Sequence, residues 1–170
     1  MTPFRFEHTY RAASPAAVFA TYFDPVHCAE EDRRAGVKQR ELLEMADHPD
    51  ELLRVSRVWP DRQLPAVLRA MVGPDLSYDE TVIWQKQLDR IDYDIRPRVL
   101  GGRLRIVATY QLTQAGPGKV HRVYAGSVTA DVPMIGGRIE RGIVEDMTKS
   151  LTLTAACTQE SLDRAARLST

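Results

Sequence analysis

Residues 133–168, PMIGGRIERGIVEDMTKSLTLTAACTQESLDRAARL, contain no proline after the first position, and their reading decides the fold. Plotted at about 100° per residue, Ile135, Ile139, Ile143, Val144, Met147, Leu151, Leu153 and Leu162 fall within one half of the circumference. Arg138, Arg141, Glu145, Lys149, Gln159, Asp163 and Arg167 fall on the other half. At about 1.5 Å per residue such a helix is roughly 50 Å long. A compact domain of this chain length is only about 40 Å across. The helix must therefore cross the molecule, and the preceding residues must supply a surface for its apolar stripe.

Upstream, the periodicity is that of strands. Phe4, Phe6, His8 and Tyr10 alternate with Arg5, Glu7, Thr9 and Arg11, which reads as a half-buried strand. Ser14-Pro15 and Asp24-Pro25 each combine an N-cap with a first-turn proline, so two short helices follow, the second closed by Gly36. Further strands are expected over 37–45, 52–59, 80–88, 91–98, 104–112 and 119–132, with Asp89-Arg90 as a tight hairpin turn. Within 61–78, the segment LPAVLRAMVGP reads as a short helix bearing Leu64, Val67, Leu68 and Met71 on one face, a candidate flap. The strands are amphipathic and joined by short turns, which argues for an antiparallel sheet with one covered face and one wet face. The predicted class is α+β: a strand, two short helices, six more strands and the long helix, in one domain over 1–170.

Composition narrows the function. Acidic and basic residues balance at 23 each and form no basic run, so no nucleic-acid footprint is expected. No stretch approaches the ~20 apolar residues of a membrane span, so membrane insertion is not expected. The N-terminus lacks the apolar core of an export signal, and Cys28 and Cys157 are read as reduced thiols of a cytoplasmic protein. His27 and Glu31 share an i,i+4 spacing, but further ligands with metal-site spacing are not evident. There is no Gly-x-Ser-x-Gly elbow, P-loop or Gly-x-Gly-x-x-Gly, so no cofactor and no nucleophile motif are assigned.

The element order resembles the START-like, or helix-grip, superfamily across essentially the whole chain. FRFEHTYRAASPAAVFATYFDP is similar to the superfamily's opening strand and Ser-Pro helix start. VPMIGGRIERGI at 132–143 and Trp84 within ETVIWQ resemble an uncharacterised bacterial branch of it. The resemblance implies a curved seven-stranded antiparallel sheet gripping the C-terminal helix, with a cavity for a hydrophobic small molecule between them. It transfers no catalytic motif.

The expected ligand-binding residues are Tyr10, Trp84, Tyr93, Tyr110, Ile139, Glu140, Ile143 and Met147. Glu140 stands out because it falls inside the apolar stripe of the long helix, where a carboxylate must be paired or desolvated. It can serve as a polar anchor in a cavity or pair at the sheet rim with an arginine such as Arg57 or Arg122. Gly136, Gly137 and Gly142 suggest close packing at the helix start. The leading expectation is non-enzymatic binding of an apolar or amphipathic molecule, lipid-like or polyketide-like, at the N-terminal half of the helix, with the part beyond Leu151 only packing. One alternative is a polyketide cyclase or hydrolase-like enzyme using Glu140, His8, Tyr110 or His121; another is a protein-interaction domain.

Overall fold

A computed structural model describes residues 1–61 and 76–168. The order of elements is β1 (Thr2–Arg11), α1 (Pro15–Tyr22), α2 (Pro25–Ala35), β2 (Val37–Asp47), β3 (Glu51–Pro60), β4 (Tyr78–Gln85), β5 (Arg90–Pro97), β6 (Leu104–Gln114), β7 (Lys119–Ala130) and α3 (Gly136–Leu168). The strands form one antiparallel sheet in the order β1-β7-β6-β5-β4-β3-β2, and α3 lies against α2, β1, β7 and α1. This is the α+β helix-grip architecture. The expected helix and flap at 64–71 lie outside the described residues.

The local signals act as their chemistry dictates. The Ser14 hydroxyl accepts from the Ala17 N–H at 3.3 Å, and the Asp24 carboxylate accepts from the His27 N–H at 2.9 Å. Each cap satisfies a donor that a helix start leaves orphaned. Gly36 ends α2 in the left-handed region at φ 70°. Even-numbered residues of β1, β6 and β7 point inward: Phe4 and Tyr10, then Leu104, Ile106, Tyr110 and Leu112, then Val120, Tyr124 and Val128 are all buried. The sheet bends tightly at Gly126, where an added Cβ would collide with the Val107 carbonyl oxygen.

Several boundaries differ from expectation. β4 stops at Gln85, and a four-residue turn with Asp89 at φ 48° replaces the two-residue hairpin at Asp89-Arg90. Asp89 tolerates a positive φ, but a two-residue turn needs a second one at Arg90, where glycine is favoured. β7 ends at Ala130, and α3 starts at Gly136 rather than at Pro133, because Met134 turns the chain at φ 67°. Of the three clustered glycines, Gly136 is the one required by close packing: its Cβ would collide with the Ala130 carbonyl oxygen, whereas Gly137 has only Arg141 Nη1, at 3.4 Å. Leu153 sits at the margin of the apolar stripe and is exposed. No helix among the described residues is long and apolar enough to cross a membrane.

Candidate functional site

Between the concave face of the sheet and the middle of α3 lies a cavity of about 360 Å³. Its apolar surface comes from Ile95 on β5, Leu104 and Ile106 on β6, and Ile143, Met147 and Leu151 on α3. Six tyrosines border it: Tyr78 on β4 and a group of five, Tyr10 on β1, Tyr22 on α1, Tyr93 on β5, Tyr110 on β6 and Tyr124 on β7. Within that group Tyr22, Tyr93, Tyr110 and Tyr124 form a connected aromatic cluster. Tyr93 meets Tyr124 edge-on at 5.4 Å between centroids, and Tyr110 lies 5.8 Å from Tyr22 and 6.4 Å from Tyr124. Desolvation pushes all five phenols above their ordinary range, so they remain O–H groups.

A polar seam runs through this aromatic wall. The Tyr22 and Tyr93 hydroxyls share a 2.5 Å hydrogen bond, and Arg54 Nη2 donates to Tyr22 at 3.3 Å. Arg54 also lies over the Tyr22 and Phe23 rings. Arg40 of β2 donates twice to Asp32, at 2.8 and 2.9 Å, and once to Glu80 at 2.8 Å. Burial disfavours the Arg40 charge, but these two carboxylates outweigh it and raise its pKa. Glu31 also faces the cavity; desolvation, aided by the Asp32 charge, pushes its carboxyl up to about 7. Arg122 Nη1 donates to the Tyr10 hydroxyl at 3.0 Å.

Of the expected site residues, Tyr10, Tyr93, Tyr110, Ile143 and Met147 border this cavity, and Trp84, Ile139 and Glu140 do not. Trp84 stacks between Phe19 and Phe23, at 4.8 and 5.1 Å, on the far side of α1. Ile139 is fully buried in the core. Glu140 is 3% exposed and turned toward the strand ends: it accepts from the Ala130 N–H at 2.9 Å and the Thr2 hydroxyl at 2.7 Å, and lies 3.0 Å from the Met1 ammonium. Burial raises its pKa, but these donors together bring it below the ordinary value. Neither Arg57, which pairs with Asp79, nor Arg122 is its partner.

Along α3 the cavity runs from Ile143 through Met147 to Leu151. Thr154 and Thr158, beyond Leu151, border it as well. Among the polar residues considered for catalysis, only Tyr110 borders it. His121 pairs with Glu7 at 3.2 Å on the opposite face of the sheet, and His8 faces a separate cleft between β1 and α3. The residues missed from sequence are chiefly Arg54 and Arg122. Arg122 occupies an inward position between Val120 and Tyr124, the same signal that singled out Glu140, whereas Arg54, between Leu52 and Ser56, carries it more weakly.

The comparisons agree with this architecture. No curated protein sequence matches the chain significantly. A protein of Thermus thermophilus is similar in structure, with a TM-score of 0.66 at 16% identity, over 96% of this chain and 98% of that one. So is the Zhui aromatase/cyclase of Streptomyces sp. R1128, with a TM-score of 0.65 at 11% identity, over 96% of each chain. A START superfamily protein of Mycobacterium smegmatis gives a TM-score of 0.60 at 9% identity, over 97% of this chain and 99% of that one. At these identities the likeness establishes the START-like fold. Residues 5–162 match the family described as protein of unknown function DUF2505, and the chain belongs to that family.

Proposed function

We propose that this protein acts as one binding domain that holds an apolar or amphipathic small molecule in the cavity between the sheet and α3. The carrying observation is the cavity itself, about 360 Å³ and lined by six tyrosines, aliphatic side chains and a few polar groups. Ligand sites have this size and mixture, and apolar burial supplies about 25 cal/mol per Å² before entropic costs. A lipid-like or polyketide-like occupant suits the lining, and the fold shared with an aromatase/cyclase supports that choice. Both cysteines are free, in keeping with a reducing cytoplasmic setting.

Binding is preferred to cyclase or hydrolase chemistry because the groups that such chemistry would recruit are dispersed. Proton transfer needs partners within hydrogen-bond reach of one reacting atom, whereas Glu140, His8 and His121 lie away from the cavity that Tyr110 borders. An interaction role would rest on the edge strand β2, where Leu42, Leu43 and Met45 are exposed. The test is titration with a hydrophobic fluorescent dye and with native mass spectrometry of the purified protein, alongside Met147→Trp, which fills the cavity. Saturable binding that Met147→Trp abolishes without unfolding the protein is expected. Wild-type protein that binds nothing, or binding that survives the filled cavity, overturns the proposal.

A further inference from the structure

Two of the cavity's three arginines, Arg54 and Arg122, have no carboxylate within ion-pair distance among the described residues. Arg122 occupies an inward position of β7 between Val120 and Tyr124 and is 4% exposed. Its guanidinium lies over the Tyr10 and Tyr110 rings, 5.6 and 5.8 Å from their centroids. A guanidinium has five N–H donors and cannot be neutralised by losing a proton. Here Nη1 reaches the Tyr10 hydroxyl, Nε is buried with no partner, and no carboxylate lies within ion-pair distance among the described residues.

Arg40, in the same cavity, shows how this protein treats an arginine whose role is structural: two carboxylates converge on it. Arg54 also has a buried Nε without a partner among the described residues, but it is more exposed than Arg122, lies over the Tyr22 and Phe23 rings and donates to the Tyr22 hydroxyl. Of the remaining cavity carboxyls, Asp146 lies 3.9 Å from Lys149 Nζ, and Glu31 lies 3.8 Å from His27 Nε2 and feels the Arg122 charge without reaching ion-pair distance, its raised pKa leaving it only partly ionised at neutral pH. An unpaired buried charge is costly, and removing one by an apolar residue of similar length commonly stabilises a protein. The expense at Arg122 is explained if the missing anion arrives with the ligand.

We infer that the molecule bound in this cavity carries an anionic group, a carboxylate in its simplest form, that docks on Arg122 beside the Tyr10 hydroxyl while its apolar body lies against the tyrosine cluster and α3. This rests on the binding function proposed above. It narrows the ligand class to amphipathic anions and assigns Arg122 as the residue that selects them.

The test uses three probes with one bicyclic body: 1-naphthoate, 1-naphthalenemethanol and 1-naphthylmethylammonium. Each is titrated calorimetrically at neutral pH into the full chain, into Arg122→Met and into Arg54→Met. Wild type is expected to bind the carboxylate at least tenfold more tightly than the alcohol and to bind the ammonium most weakly. Arg122→Met is expected to bind carboxylate and alcohol within threefold of each other, and Arg54→Met to keep the preference. Without ligand, Arg122→Met should unfold at the same or higher urea concentration than wild type. Equal wild-type affinity for carboxylate and alcohol overturns the inference and leaves the cavity's binding function standing; wild type that binds none of the three overturns both. A preference that follows Arg54 instead, or an Arg122→Met protein markedly less stable than wild type, also overturns the assignment, the latter by showing that the arginine is structural.

Discussion

Glu140 makes the sharpest prediction about stability. Its carboxylate ties the first turns of α3 to the end of β7 through the Ala130 N–H and to the start of β1 through the Thr2 hydroxyl. Glu140→Ala strands both donors. A buried donor left without an acceptor costs about 1–3 kcal/mol, and removing one member of a buried charged group costs about 3–5 kcal/mol. A loss of about 3–5 kcal/mol is expected, a large share of the ~5–15 kcal/mol that holds a domain together. Glu140→Gln keeps an oxygen for Ala130 and loses only the charge assistance, about 2 kcal/mol over two hydrogen bonds. The pH dependence follows from the lowered pKa. The carboxylate's contribution is complete above its unfolded value of 4.5 and vanishes as pH falls through the lower folded value. Urea unfolding monitored by circular dichroism should therefore show a wild-type advantage over Glu140→Gln that is constant from neutral pH down to 4.5 and closes below it. An Ala variant within 1 kcal/mol of wild type, or a Gln gap indifferent to acid, refutes the reasoning.

Three further outcomes follow from the geometry. Gly126→Ala should destabilise by about 3 kcal/mol or more in the same assay, because its Cβ meets backbone atoms that no side-chain rotation can move; Gly137→Ala, with open space around it, should be neutral or stabilising by up to about 1 kcal/mol. Glu31 has a folded pKa raised from 4.5 to about 7, so its favourable share of stability is present below 4.5 and lost as pH rises through 7. Glu31→Gln should then match wild type at pH 4.5 and exceed it at pH 8.5 by about 1–3 kcal/mol; equal stability at both pH values would contradict the assigned desolvation. Tyr93→Phe removes the hydroxyl pair with Tyr22 and should cost about 1 kcal/mol, since Tyr22 keeps Arg54 as a donor.

The fold was legible because its signals are local and repeated. The alternation in β1 and β6, the Ser14-Pro15 and Asp24-Pro25 caps and the helical stripe of α3 each depend on a residue and its near neighbours. The site was legible only in part. Period-two alternation correctly turns Tyr10, Tyr93 and Tyr110 inward, but it does not say where along a curved sheet the helix stands off from it. Glu140 and Arg122 carry the same pattern, a charge at an inward position, yet one faces strand ends rich in donors and the other faces space. That difference lies in which elements each residue meets across the core, which no spacing of residues encodes. Thr154 and Thr158 were assigned to packing because they are small and polar, and those same properties leave room beside them.

Mechanically, α3 is a beam pinned at both ends. Glu140 fastens its start to the strand ends, while Arg11 to Asp163 at 2.8 Å and Arg34 to Glu160 at 2.6 Å fasten its far end to β1 and α2. The span between these supports, from Ile143 to Thr158, roofs the cavity. Under the binding function proposed above, a member supported in this way would take a guest by bowing at mid-span with its anchors undisturbed rather than by detaching.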